Sequence, residues 1–107
     1  MHEVRLSPEK ALQLRAKYPN KYPVVVETEG DLKLLKRKFL VDESTSMGEL
    51  FVAIRRQSGN LNPSEALYVF VNKGLVPTSS LVIEHWKNHN IDNCLYVEAG
   101  RENTFGC

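Results

Sequence analysis

Six consecutive apolar residues, Ala66-Leu67-Tyr68-Val69-Phe70-Val71, constrain this chain more than any other stretch. They are rich in β-branched and aromatic side chains and too short for a buried helix. They therefore read as a strand, expected at the centre of a sheet. Such a strand needs neighbours and a covering layer, and the remaining segments are read for what they supply. Ser46-Met47-Gly48-Glu49 is a capping-box signature, serine followed three residues later by glutamate. Met47, Leu50, Phe51 and Ile54 then fall at i, i+3, i+4 and i+7, so a helix with one apolar face runs to about Ser58, and Gly59 is expected as its left-handed cap. Asn62-Pro63-Ser64-Glu65 connects this helix to the apolar strand.

Before that helix, Tyr22–Thr28 reads as a strand buried on both faces, because Val24, Val25 and Val26 follow one another. Pro23 fits near its start, where no ladder bond is lost. Glu29-Gly30-Asp31 is a turn signal. Lys36-Arg37-Lys38-Phe39-Leu40-Val41 alternates, with Arg37, Phe39 and Val41 on one face and Lys38 and Leu40 on the other. A short basic strand is either a solvated edge that resists aggregation or an edge meant for a partner's strand. Ser7-Pro8-Glu9 opens an N-terminal helix with Ala11, Leu14 and Tyr18 on one stripe, Lys10, Arg15 and Lys17 mostly solvated, and an end at Tyr18 imposed by Pro19. After the apolar strand, Asn72-Lys73-Gly74 is a turn. A helix carrying Leu81, Val82, His85 and Trp86 on one side ends at Asn88-His89-Asn90. Cys94–Ala99 is the last strand, with Leu95, Val97 and Ala99 opposite Tyr96.

The chain has 107 residues, 42% of them hydrophobic and 25% charged, with a net charge of +1. That is one domain with a core of its own, and no global field directs it to nucleic acid. No apolar run approaches the ~20 residues of a membrane span, and Met1–Arg5 has no signal-peptide core, so a soluble cytosolic protein is expected. A reducing cytosol disfavours a disulfide between Cys94 and Cys107. The order helix, strand–strand–helix–strand–helix–strand is that of a ubiquitin-like β-grasp. The tail Glu102-Asn103-Thr104-Phe105-Gly106-Cys107 ends on a penultimate glycine. Without a Cβ, a glycine carboxylate can be threaded into a narrow active site and joined to an amine once Cys107 is removed. The alternative is a frayed terminus.

The chain resembles the autophagy ubiquitin-like modifiers of the GABARAP type. The resemblance is carried by Lys17-Tyr18-Pro19-Asn20-Lys21-Tyr22-Pro23-Val24, Lys36–Val41, Gly48–Arg55, Phe70-Val71-Asn72, Leu75-Val76-Pro77-Thr78, Leu95-Tyr96-Val97 and the tail through Gly106. It implies an α+β fold over residues 1–107: a β-grasp with a four-stranded mixed sheet, a shortened helical extension at 1–20 and a flexible conjugation tail at 100–107. It also implies a monomer that is not an enzyme, carries no cofactor or metal, and cycles between cytoplasm and autophagosomal or vesicle membranes. A processing cysteine protease would cut between Gly106 and Cys107, seating Thr104 and Phe105. Activating and conjugating enzymes would then carry Gly106 as thioesters and join it to phosphatidylethanolamine. Cargo receptors would add an aromatic-x-x-aliphatic motif to the second strand. Leu14, Pro23, Val25, Lys38 and Leu40 map to the aromatic pocket, and Phe39, Val41, Leu50, Ala53 and Ile54 to the aliphatic one. Leu50 and Ile54 could equally be core. Arg55 falls on an arginine that contacts acidic partners.

The chain departs from that pattern in four places. Only six residues precede the first expected helix, so an outer helix is missing or vestigial. Cys94 stands where a phenylalanine backs the aromatic pocket, Thr45 replaces a leucine beside the aliphatic one, and Leu35 replaces an aspartate. His85 and His89 have a zinc-compatible i, i+4 spacing but no third ligand nearby, and Cys94 has no adjacent base or oxyanion loop. Cys107 is terminal and is no prenylation signal. The competing function is a β-grasp adaptor that binds peptides without being conjugated.

Overall fold

Ser7 accepts the Lys10 N–H on its hydroxyl and Pro8 occupies the first turn, so helix α1 (Pro8–Lys17) begins where those residues dictate. In the computed structural model, which describes residues 5–101, α1 is the only helix ahead of the sheet among the described residues. Tyr18 closes it, its N–H on the Leu14 carbonyl. Strand β1 (Lys21–Thr28) follows, then β2 (Lys38–Asp42), α2 (Met47–Gln57), β3 (Leu67–Val71), β4 (Gly74–Leu75), α3 (Val82–His89) and β5 (Leu95–Arg101). The sheet order is β2-β1-β5-β3-β4. β1 and β5 run parallel and the other pairs are antiparallel.

The capping box at Ser46 and Glu49 is complete in both directions, and α2 lays Met47, Leu50 and Ile54 onto one sheet face. Val24, Val26, Val69, Leu95, Val97 and Ala99 meet them there, together with Val82 and Trp86 from α3. On the opposite face α1 presents Ala11 to Val25 and Cys94, with Leu6, Leu14 and Tyr96 completing a smaller cluster. β1 thus lies between two layers, which explains its buried run from Tyr22 to Val26.

Four expectations about the elements are corrected. The sheet has five strands, because Asn72 and Lys73, at φ of 50° and 67°, form a tight turn that folds Gly74–Leu75 back on Phe70–Val71. β3 is not central: it lies between β5 and the two-residue β4, and its burial alternates, with Leu67, Val69 and Val71 inward. β5 takes the centre, since α3 returns the chain parallel to β1 and antiparallel to β3. Gly59 is not a left-handed cap. Ser58 already leaves α2 in extended backbone, and the Gly59 N–H donates to the Lys33 carbonyl at 2.8 Å. β5 also runs on through Gly100 and Arg101, so the first two residues of the expected tail lie in the sheet.

Arg15 is likewise not simply solvated. Its guanidinium donates to the Pro19 carbonyl at 2.6 Å and the Lys21 carbonyl at 2.7 Å, and lies 4.3 Å from the centre of the Tyr22 ring. Tyr22 meets Trp86 edge to face at 5.0 Å, and the Trp86 indole N–H donates to the Pro23 carbonyl at 3.1 Å. One side chain thus ties the extension to the sheet through hydrogen bonds and ring stacking. Arg15→Ala is expected to lower the unfolding free energy by about 1–2 kcal/mol, measured by urea denaturation at pH 7.

Candidate functional site

β2 borders only β1, so one of its sides faces outward. The Val26 N–H donates to the Arg37 carbonyl at 2.8 Å, which fixes the alternation of the ladder. Val24–Phe39 and Tyr22–Val41 are then the bonded pairs, while Pro23 faces Leu40 and Val25 faces Lys38 across the open ones. Pro23, which has no N–H to give, falls where none is needed. Lys38 and Leu40 therefore direct their backbone N–H and C=O groups away from the sheet. Asp42 closes the far end. Its N–H donates to Thr45 Oγ1, and its C=O accepts the Thr45 N–H. Hydrogen bonds from Ser44 and Thr45 hold the Asp42 carboxyl below its ordinary range.

Beside this edge, between α1 and β2, lies an open cavity of about 440 Å³. Leu14, Pro23, Val25, Lys38 and Leu40 all line it, so the whole first set of expected residues comes together. Its lining is mostly apolar, with Lys10, Lys36 and Lys38 the charged residues among it. Leu6, Lys10, Val24 and Lys36 line it as well and were missed in the sequence. Lys10 could have been found, because it lies four residues before Leu14 on the same helical face. Leu6 could not, since the Tyr96 hydroxyl places it, taking its N–H and donating to its C=O, each at 3.3 Å.

The second set divides. Val41, Leu50 and Ile54 are enclosed in the core beneath α2, whereas Phe39 and Ala53 are half-buried. Phe39 also reaches the cavity, with Lys36 Nζ 5.1 Å from its ring centre. Arg55 donates to the Glu65 carbonyl at 2.9 Å and to the Asn62 carbonyl at 3.5 Å, holding the α2–β3 connector. Leu35 is 85% exposed. Cys94 is buried against Leu6, Ala11 and Val25, and burial pushes its thiol up to about 11. His85 Nε2 lies 2.9 Å from Ser80 Oγ, and that hydroxyl donates to the Pro77 carbonyl, so the ring nitrogen is the donor of the pair. No helix of the described residues is long and apolar enough to cross a membrane. Thr104, Phe105, Gly106 and Cys107 lie outside the described residues.

A mixed sheet in this order, with α2 across one face, defines a ubiquitin-like β-grasp protein, here with an open strand edge beside an apolar pocket. The chain belongs to the Atg8 family: the model described as "Autophagy protein Atg8 ubiquitin like" matches residues 5–106. It is 35% identical to autophagy-related protein 8b of Arabidopsis thaliana, over 97% of this chain and 86% of the plant protein. It is also 35% identical to autophagy-related protein 8 of Emericella nidulans, over 91% of this chain and 85% of the fungal one. Among solved structures, Trypanosoma brucei ATG8 superposes with a TM-score of 0.82 at 26% identity, covering 92% of this chain and 88% of that one.

Proposed function

We propose that this chain is a ubiquitin-like modifier of autophagy that is trimmed after Gly106, conjugated through it to phosphatidylethanolamine, and used on autophagosomal membranes to recruit receptors. The observation that carries the proposal is the open β2 edge beside its lysine-bearing apolar cavity, in a chain of the Atg8 family. An extended peptide can pair with the outward groups of Lys38 and Leu40, gaining main-chain hydrogen bonds, and lower an aromatic side chain between Leu14, Pro23, Val25 and Leu40. Phe39 and Ala53, the partly exposed members of the second set, would meet the aliphatic residue. The lysines would favour acidic residues flanking the motif. The conjugation half is supported by the family match, which extends to Gly106 and leaves Cys107 outside it.

The partners follow from that cycle: a processing cysteine protease, activating and conjugating enzymes, receptors and a phosphatidylethanolamine membrane. The groove is tested by calorimetric titration of an aromatic-x-x-aliphatic peptide with acidic flanks, alongside a melting curve for each variant. Leu40, 38% exposed, lends wall area to the pocket, so Leu40→Ala should weaken binding by about 1–2 kcal/mol. Lys38→Glu should weaken it by repulsion, and that loss should shrink as salt is raised. Unchanged affinity in both folded variants would remove the groove from the proposal. A shift in intact mass between fed and starved cells separates the modifier from a non-conjugated adaptor.

A further inference from the structure

Arg101 is the last described residue, and its side chain is anchored more firmly than a strand end requires. Its guanidinium donates to both Glu65 carboxylate oxygens, at 2.8, 2.9 and 3.2 Å, and lies 3.4 Å from Asp31 Oδ2. Both partners of the main pair are largely enclosed, 16% and 17% exposed, whereas Asp31 is 73% exposed. Glu65 is itself fixed, because its carboxylate accepts the Asn62 N–H at 2.9 Å and its carbonyl accepts from Arg55. Two-point contact between a planar guanidinium and a carboxylate sets direction as well as distance.

The backbone explains what the clasp adds. β5 is held on both sides only as far as Ala99, where pairing with β1 ends. Gly100 and Arg101 pair with β3 alone, through Tyr68 and Leu67. A strand end paired on one side frays readily. The Arg101 side chain reaches across to the α2–β3 connector and to the turn after β1, and so fixes the end that its backbone leaves half-held.

We infer that Arg101, clasped by Glu65, is a positioning residue for the reactions at the C-terminus: it fixes the root from which the tail is presented to the enzyme that cuts or carries it. The inference rests on the proposal that Gly106 is the reacting residue. Gly106 lies five residues beyond Arg101. Those five span at most ~18 Å even when fully extended. Any enzyme acting on Gly106 therefore works close to this corner and receives a tail whose origin is set. Releasing the clasp moves the fixed root back towards Ala99, and the enzyme must then order the residues between.

The test is steady-state trimming of the full chain by the purified processing cysteine protease. It compares the wild type with Glu65→Gln, Arg101→Gln and Arg101→Lys, and with Arg15→Ala as the control for lost stability. Glu65→Gln and Arg101→Gln should each raise KM roughly five- to tenfold with kcat little changed, the scale of one backbone residue no longer ordered in advance. Arg101→Lys, which keeps one ionic contact, should fall between. Amide exchange in Glu65→Gln should quicken at Gly100 and Arg101 and stay slow at Val97. Unchanged KM in both neutral variants overturns the inference. So does a rise with Arg101→Gln alone, which would mean that the protease reads Arg101 directly, or an equal rise with Arg15→Ala, which would reduce the effect to lost stability. A wild-type chain that is not trimmed at all marks the failure of the proposed function itself, and the inference falls with it.

Discussion

Gly106→Ala should yield a folded protein that is neither trimmed efficiently nor shifted to a lipid-linked form. Fold and reaction separate because the last residue of the described hydrophobic core is Ala99, seven positions earlier. The chemistry is sensitive because a backbone without a Cβ passes a narrow channel that any side chain obstructs. Misplacement of the reacting carbonyl by about 1 Å costs on the order of a hundredfold in rate, so the loss should be close to complete in a cell. Thermal melting of the purified variant should match the wild type, while gel mobility and membrane fractionation from starved cells should show only the unconjugated form. Deleting Cys107 supplies the complementary result, conjugation in cells that lack the processing protease. A lipid-shifted, membrane-bound Gly106→Ala protein would refute the assignment.

Ile54→Ala should act on stability and leave peptide affinity alone. Ile54 is fully enclosed in the core beneath α2, alongside Met47 and Leu50. Removing a buried isoleucine to alanine leaves a cavity that a packed core closes only in part, a cost of about 2–5 kcal/mol. For a domain of this size each kcal/mol lowers Tm by about 4–8 °C, so the midpoint should drop by at least about 8 °C. The peptide Kd of the folded protein, measured well below that midpoint, should stay within about twofold, a difference below ~0.5 kcal/mol. A selective loss of affinity with an unchanged melt would move Ile54 from core to binding wall.

Local order was legible in the residues. Ser7-Pro8 and the Ser46–Glu49 box start their helices where expected, because caps and proline act over one turn and need no distant partner. Three consecutive valines announced a strand covered on both faces, and β1 is that strand. The basic strand was also recognisable as an edge, because lysine on alternate positions is tolerated only where a face meets water. The Asn72-Lys73 turn was read, but the two-residue strand after it was not, since so short an element carries no period of its own.

Strand neighbours, by contrast, were decided by the tertiary structure. Apolarity placed β3 at the centre, yet β5 lies there with Glu98 in it, because sheet order follows from how α2 and α3 return the chain and not from the composition of one strand. The same holds for the site. Period-two alternation put Lys38 and Leu40 on one face, but Leu6, held through the Tyr96 hydroxyl, joins the cavity across 90 positions of sequence. Arg101 and Glu65 meet across 36 positions, in a contact that neither local propensity nor spacing could signal. The sequence by itself determined the three helices, the four longer strands, the edge character of β2 and the family, since each rests on short motifs or on pattern along the chain. Only the tertiary structure decided which strand is central, which residues of α2 are core, and what anchors the root of the tail, since these depend on contacts between segments far apart in sequence.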